Sequence, residues 1–537
     1  MNDKRDGIIY IVLASLLVVF LATVYYGIEK LDRVKQISAD YYSELGDSLH
    51  QEDPLKGISG NFVTDPDTFE SNLPLAVVSL DGDLPEYKTF NEAGMEVVDT
   101  SVDPWTTGNI VLFDDPSGVN RLTNEPVLSS DIRIKKRGHT SIAFDKPQYY
   151  LKFIAEDESE NPQSVLGMPS DDSWILCGNM ADKSMIRNYL AYRVSAHIMK
   201  YAPRSCFCAL FTLAEGEYTS QGIYLMQESV RRSDSRVQIN ESKRKEVYTS
   251  YLVRRDRYTN FDTMIDDYAR IEGLSDEWIG VKYPAVSKQS EENLAYISED
   301  FSNIERVLMS DRNSVFKSYP KYIDTDSFVD YFIINEYFGN YDAGEHSTYM
   351  YKNSGDRLKI GPVWDFDQAM NNSVVDEADP YTIAMQDRAF YENLVRDTEF
   401  IDKVKKRYSF LREYYLNDEY IFSLIDETIR YLDDARQREW YRWAADYYDD
   451  SYVNPGRFYL SDYEKEGIVI SRFNDDYDQE IYNIKTYLSI HGSMIQTNLT
   501  QQAKLCDITT GLKGEMTLLL VITCCLFAIP SILINRK

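Results

Sequence analysis

The chain lacks every glycine-rich nucleotide signature: neither G-x-G-x-x-G nor G-x-x-x-x-G-K-[S/T] occurs. Neither a dinucleotide-binding βαβ unit nor a P-loop is therefore indicated. Positive charge is scarce, with 57 Lys and Arg against 87 Asp and Glu and a net charge of −30. Binding to nucleic acid, which depends on clustered cations neutralising phosphates, is disfavoured on that ground. Cysteine is scarce as well. Of the 6 present, Cys524 and Cys525 lie in a C-terminal apolar run, and Cys177, Cys206, Cys208 and Cys506 lie outside it. None has zinc-ligand spacing to a His or a second Cys pair, and no disulfide framework can be drawn. The alternation Cys206-Phe207-Cys208 fits a buried strand with both sulfurs on one face. No Pro/Gly/Ser-rich linker divides the middle of the 537 residues, which reads as one large domain. No regular repeat accompanies the 42 tyrosines, which are taken as core and interface aromatics.

What is present begins at the ends. Residues 7–26 and 516–534 are uncharged apolar runs long enough to cross a bilayer as helices. The first exceeds a usual signal-peptide core and has no small-x-small cleavage site after it, so it reads as an anchor. The expectation is a two-span membrane protein with residues 27–72 as a stalk, a domain over 73–495, and both termini on one side. Positive charges flanking the runs are nearly balanced; their density in the short tails favours cytoplasmic tails and an extracytoplasmic domain.

From Leu73 the texture changes to short β-rich runs separated by Asp-Gly and Asp-Pro-Ser-Gly turns. Residues 132–153 read as two strands around a glycine turn. Tyr149, Leu151 and Phe153 share one face of the second strand, with Tyr150 and Lys152 on the other. A lysine on a sheet face beneath a glycine turn can reach nucleotide phosphates, although the strand pattern alone also fits a solvent-exposed lysine. Arg137, Gly138 and Ser141 suggest a phosphate-facing loop. Asp182 can cap a helix carrying Ile186, Leu190 and Val194. Two strands then turn at Glu215-Gly216-Glu217, and the second ends at Glu228, where a carboxylate can lie at the nucleotide edge of a sheet or simply on the surface. Residues 232–300 are polar and weakly patterned, and read as an insertion or a flexible substrate-facing lobe.

The chemistry concentrates between Asp324 and Asn372. Asp326 can cap a helix over Phe328–Phe338 that Gly339 stops, after which the chain exposes Asn340-Tyr341-Asp342-Ala343-Gly344. A hairpin follows, around Asn353-Ser354-Gly355-Asp356, and Asp365 emerges at its end within Gly361-Pro362-Val363-Trp364-Asp365-Phe366-Asp367. Helix, loop, hairpin and acidic end follow the order of the catalytic loop and metal-binding segment of protein kinases. There one carboxylate orients the attacking hydroxyl and another holds Mg²⁺ against the phosphates. His346, close in sequence to Asp342, does not by itself make a catalytic dyad and is read as a supporting or surface residue. Residues 388–499 have apolar positions at helical intervals and are expected to form a helical lobe below the site.

Several short motifs occur in a shared order: Arg137-Gly138-x-x-Ser141 with Lys146 and Tyr150-Leu151-Lys152-Phe153; Trp174-x-Leu176; Asp182-x-Ser184-x-x-Arg187-Asn188; Ala202-Pro203; Tyr218-x-x-x-Gly222-x-Tyr224-x-x-x-Glu228; Asn340-x-Asp342; and Trp364-Asp365-Phe366-Asp367. In this order the stretch from about Leu73 to Ile490 resembles the CotH kinase family, atypical protein kinases first associated with bacterial spore coats. The resemblance implies a fold class of α+β: a divergent protein-kinase-like fold with a β-rich N-lobe and a helical C-lobe, here flanked by two transmembrane helices. It implies ATP and Mg²⁺ or Mn²⁺ as ligands, and phosphorylation of Ser or Thr in a protein substrate of the spore coat or cell envelope. Asp342 resembles the catalytic aspartate and Asp365 the metal-binding aspartate. Lys146 and Lys152 compete for the phosphate-contacting role, with Arg137 and Glu228 as further nucleotide-site candidates. The sequence departs from the family at Ser347-Thr348-Tyr349, where many relatives have an Asn, which bears on a second metal position. Two other classes stay open: an inert scaffold that binds coat or envelope partners, and a phosphotransferase acting on a non-protein acceptor.

Overall fold

Alternating apolar side chains build a sheet that closes on itself. The computed structural model describes residues 36–90, 96–243, 246–372, 379–448, 463–465, 468–470 and 476–505. Seven strands form the closure: β1 (Leu75–Leu80), β2 (Thr106–Phe113), β3 (Leu128–Arg137), β4 (Gln148–Ile154), β5 (Ser173–Cys177), β6 (Ser205–Ala214) and β7 (Glu217–Glu228). Their order around the ring is β7-β5-β4-β3-β2-β1-β6, and β6 pairs back onto β7. Every pairing is antiparallel except β1 with β6. Closure removes the unpaired edges that an open sheet would expose. The barrel is filled by Ile110, Leu112, Ile132, Ile134, Leu151, Phe153, Trp174, Leu176, Leu210, Tyr224 and Met226.

Because strand side chains alternate, the outer barrel face has its own composition. On β5, β6 and β7 it is apolar: Ile175, Cys177, Phe207, Ile223 and Leu225 join the main core around helix α1 (Arg187–Ala196). On β3 the outward positions carry Arg133, Lys135 and Arg137, and Lys152 of β4 stands opposite Arg133. A second sheet has the order β9-β10-β8-β11-β12, from β8 (Tyr251–Asp256), β9 (Thr263–Ile265), β10 (Trp278–Tyr283), β11 (Thr348–Lys352) and β12 (Lys359–Ile360). Residues expected as an insertion or a flexible substrate-facing lobe thus form three of its five strands. The helix α2 (Glu291–Leu308) follows them, with a Ser290/Asn293 capping box.

Helix α3 (Thr325–Phe338) is buried on nearly all sides. Its cap is Asp324, which accepts from the Ser327 N–H, rather than the expected Asp326. Gly339 ends it in the left-handed conformation, where a side chain would also meet the Tyr487 hydroxyl at 2.1 Å. Helices α4 (Thr398–Tyr414), α5 (Asp418–Tyr448) and α6 (Tyr477–Leu505) complete the body. The segment read as a stalk is, from Gln36 onward, a strap along this body. Gln36 Nε2 donates to His197 O (2.8 Å), Tyr42 OH to Pro203 O (3.0 Å), and Ser48 N to Arg430 O (3.0 Å).

Two expectations are corrected here. The architecture is a closed seven-stranded barrel with an attached five-stranded sheet and packed helices, not a kinase-like pair of lobes, because the parallel β1–β6 pairing turns the N-terminal strands into a ring. The two-span, multi-pass membrane placement is not supported either: no helix among the described residues is long and apolar enough to cross a membrane. Residues 7–26 and 516–534, to which the spans were assigned, lie outside the described residues.

Candidate functional site

The site is built around the loop that follows β12. Asp365 has φ +65°, a left-handed conformation that costs a non-glycine residue about 1 kcal/mol and persists only when its surroundings hold it. They do so through α1. The Phe366 N–H donates to Asn188 Oδ1 (2.7 Å) and the Asp365 N–H to the Tyr192 hydroxyl (3.3 Å). Arg187 Nε donates to Ala369 O (3.0 Å), and Arg187 is itself clamped between Asp182 (2.5 Å) and Glu480 (2.6 Å). The motif Asp182-x-Ser184-x-x-Arg187-Asn188 thus acts as a latch on the Asp365 loop, with Asp182 accepting from Ser184 and from the Arg187 N–H. Phe366 and Trp364 anchor the loop from below, each packing on Tyr192.

Asp342 comes from the other direction, at the end of α3. Asn340 Nδ2 bridges the two loops, donating to Asn335 Oδ1 (3.1 Å) and to Trp364 O (3.2 Å). Ser347 Oγ donates to Asp365 Oδ2 (3.2 Å). The two carboxylates sit in opposed environments. Burial, with the charge of Asp342 added, pushes the Asp365 carboxyl up to about 6 despite the opposing pull of Arg137. Burial also works against ionisation of Asp342, but His346, Arg257 and Arg388 outweigh it and hold that carboxyl below its usual range. Asp367 is raised by burial, then by Asp365 and Asp342. Divergent shifts in neighbouring carboxylates are the arrangement by which one site runs two roles at one pH.

The structure brings Asp342, Asp365 and Arg137 together. Arg137 lies over Trp364, 5.7 Å from the ring centroid, and donates to Gln148 Oε1 (2.6 Å). Lys152 is on the same outer barrel face, near Lys135 and Asp172, whose ionisation it perturbs. Lys146 and Glu228 are elsewhere. Lys146 is 0 % exposed, paired with Glu439 at 2.6 Å and donating to Ile223 O at 2.7 Å. Glu228, also 0 % exposed, is paired with Arg204 at 2.8 Å.

The sequence reading missed a group of cations that the second sheet turns towards this face. Lys282 (β10) and Arg254 (β8) reach Asp262 at 2.7 and 3.1 Å, and Arg254 also lies 3.4 Å from Asp256. Lys135 (β3) lies over the rings of Trp105 (4.8 Å) and Phe261 (5.4 Å). It makes no hydrogen bond or salt bridge among the described residues. Burial, with Lys282, Arg137 and Lys152 as like charges, outweighs the pull of Asp262 and lowers it to about 8. Lys282 is lowered for the same reasons, burial first and then Arg254. Such crowding of cations stores repulsion that an anion would relieve. The only signal was the short β-prone apolar runs at Tyr251-Leu252-Val253 and Trp278–Tyr283, hidden by the polar composition around them.

Among the described residues no group of three or more His, Cys, Asp or Glu is placed to hold a metal ion. The hard oxygen donors at positions 365 and 367 fit a cation that takes one or two carboxylates and completes its shell with phosphate oxygens and water, as Mg²⁺ does.

The chain matches the family model described as CotH kinase protein over residues 134–489, more than half its length, and it belongs to that family. The matched stretch runs from within β3 into the first half of α6, and so contains both aspartate loops and the α1 latch. No curated protein matches the chain. Family membership supplies a kinase-like, phosphotransferase function in its general form.

Proposed function

We propose that this member of the CotH family transfers the γ-phosphoryl group of ATP to a Ser or Thr hydroxyl of a protein substrate, of spore-coat or cell-envelope type. Asp342 serves as the base, and Asp365, with Asp367, is the place for Mg²⁺ or Mn²⁺. The observation that carries this reading is the pair of apposed aspartate loops whose carboxyls are shifted in opposite directions. A divalent cation bound there supplies charge neutralisation for the phosphates.

The chain's own residues account for the rest. Asp342 is ionised and partly exposed, 35 % by side chain, so it can accept the proton of a hydroxyl presented from solvent. Lys135, Lys282, Arg137 and Lys152 line the approach along the barrel face and suit a polyphosphate in an otherwise acidic protein. Asn188, Tyr192 and Arg187 hold the Asp365 loop rigid, so that little reorganisation is needed during transfer.

Two outcomes are expected. Asp342→Ala loses label transfer from γ-labelled ATP by about 10²–10⁴-fold, the usual worth of a positioned general base, while calorimetric ATP affinity stays within about threefold. Unchanged transfer would remove Asp342 from the mechanism, and loss of ATP binding in a folded variant would move it to the nucleotide site. Lys135→Met weakens ATP binding about tenfold, the scale of one charge-assisted contact, with no loss of thermal stability, because burial and the neighbouring cations outweigh the pull of Asp262 on this lysine. Wild-type affinity in that variant would separate the cation row from the nucleotide.

A further inference from the structure

His346 stands between two carboxylates from different parts of the fold. Its Nδ1 lies 3.5 Å from Asp342 Oδ1, and its Nε2 lies 3.1 Å from Glu277 Oε1. The contact with Asp342 is set locally: the His346 N–H donates to Asp342 O (2.8 Å) in a single helical turn, which brings residues i and i+4 to one side. The turn is locked by Thr348 Oγ1, which accepts from the Gly344 N–H (2.8 Å) and donates to His346 O (3.0 Å). Glu277, in contrast, comes from the connection into β10 of the second sheet, about seventy residues earlier. All three side chains are mostly covered, His346 and Glu277 to 19 % exposure each.

A neutral imidazole has one N–H and can serve one of these carboxylates as donor; only the imidazolium serves both. Burial opposes that charge, but Asp342 and Glu277 outweigh it and raise the ring to about 9. The bridge leaves Asp342 Oδ2 free of hydrogen bonds among the described residues. Oδ1 is turned to the ring, so the second oxygen is the one open to an incoming hydroxyl.

We propose that His346, held by Glu277, is a positioning residue for phosphoryl transfer: it fixes the Asp342 carboxylate, through Oδ1, with Oδ2 presented to the acceptor hydroxyl. This rests on the reading of Asp342 as the base. In the step itself the acceptor O–H bond breaks and its proton goes to Asp342 Oδ2. The acceptor oxygen bonds to the γ-phosphorus, the γ-phosphorus bond to the β–γ bridging oxygen breaks, and that electron pair leaves on ADP. The proton then passes to solvent. His346 neither takes nor gives a proton; it keeps the accepting oxygen in one place, which is worth more than its contact energy because misplacement by 1 Å costs about 10²-fold. Glu277 acts only through the ring, so its effect and that of His346 should not add.

The test uses the full chain with γ-labelled ATP, Mg²⁺ and a degenerate Ser/Thr peptide library. His346→Gln, which keeps one donor, and His346→Ala are compared with Glu277→Gln and with the double variant His346→Ala/Glu277→Gln. The expected result is a fall in kcat of about 10–100-fold for His346→Ala. KM for ATP stays within about threefold, His346→Gln retains more activity than His346→Ala, and the double variant is no slower than His346→Ala. Added imidazole should restore part of the His346→Ala loss. Wild-type kcat in His346→Ala, a loss confined to KM for ATP, or fully additive losses would overturn the positioning role alone, leaving Asp342 untouched. If Asp342→Ala transfers label as well as the wild type, or the wild type transfers none, the base assignment falls and the role of His346 falls with it.

Discussion

Asp365→Asn will abolish Mg²⁺-dependent phosphoryl transfer, by about 10³-fold or more, and will leave the protein at least as stable as the wild type. The first half follows from the role proposed for the carboxylate, since neutralising charge on transferring phosphates is worth several kcal/mol. The second half follows from its surroundings. Burial and Asp342 raise this carboxyl from 3.8 to about 6, so the folded state resists its ionisation. A raised carboxyl makes no demand below its unfolded pKa, where both states are protonated. Its penalty grows as pH climbs from 3.8 to about 6 and is complete above that, reaching on the order of 2–3 kcal/mol at neutral pH. Asparagine removes the penalty. Thermal melts at pH 7 without metal should therefore show Asp365→Asn equal to or above the wild type, and the difference should vanish near pH 4. Wild-type Mg²⁺-dependent transfer in this variant would dismiss Asp365 as the metal ligand. A lower melting temperature would show instead that the carboxylate stabilises the loop.

Glu439→Ala will cost about 3–5 kcal/mol of stability, the price of stranding one member of a fully buried ion pair. Glu439 lies on α5 and reaches into the barrel wall. Its Oε1 accepts from Lys146 Nζ (2.6 Å) and from the Tyr447 hydroxyl (2.6 Å), and its Oε2 accepts from the Ile223 N–H (2.7 Å). Gly222 makes room for it: a side chain there would come within 2.1 Å of Oε2. Burial lowers the Lys146 amine even with Glu439 beside it, so loss of the carboxylate leaves an ammonium with the Ile223 carbonyl and the Tyr224 ring as its remaining partners. The melting temperature should drop by several degrees, and Lys146→Met should also be destabilised. Whatever fraction remains folded should bind ATP with wild-type affinity, because this pair is separate from the cation row on the outer barrel face. A Glu439→Ala melt within a degree of the wild type would mean that the pair is dispensable. A selective loss of ATP affinity in Lys146→Met would restore Lys146 to the nucleotide site.

Lys146 and Lys152 illustrate how much of the site could be read in advance. Both follow Arg137-Gly138 in the motif order, and both are lysines near a glycine turn, so sequence alone left them equivalent. One is buried against Glu439, nearly three hundred residues away, and the other stands on the outer barrel face with Lys135. The same limit applies to Glu228. Its place at the end of a strand was correctly read, but its partner Arg204 was not, because ion pairing is decided by which strands become neighbours. The helix ending at Gly339, the Glu215-Gly216 turn and the hairpin before Asp365 were legible, since each is set by residues within a few positions of one another.

What the sequence by itself determined is therefore local and compositional: strand and helix periods, the stops and turns, the acidic balance, and the motif order that carries the CotH family, which the match over residues 134–489 establishes. Tertiary structure alone decided three things. Ring closure through the parallel β1–β6 pairing replaced the expected two lobes, because period-two alternation is the same in an open sheet and a barrel. The second sheet drew Lys282 and Arg254 out of a segment with little visible pattern and set them beside Arg137. And Glu277 met His346 through a contact 69 positions apart, a pairing that no short-range rule encodes because side-chain proximity across elements depends on packing and not on spacing along the chain.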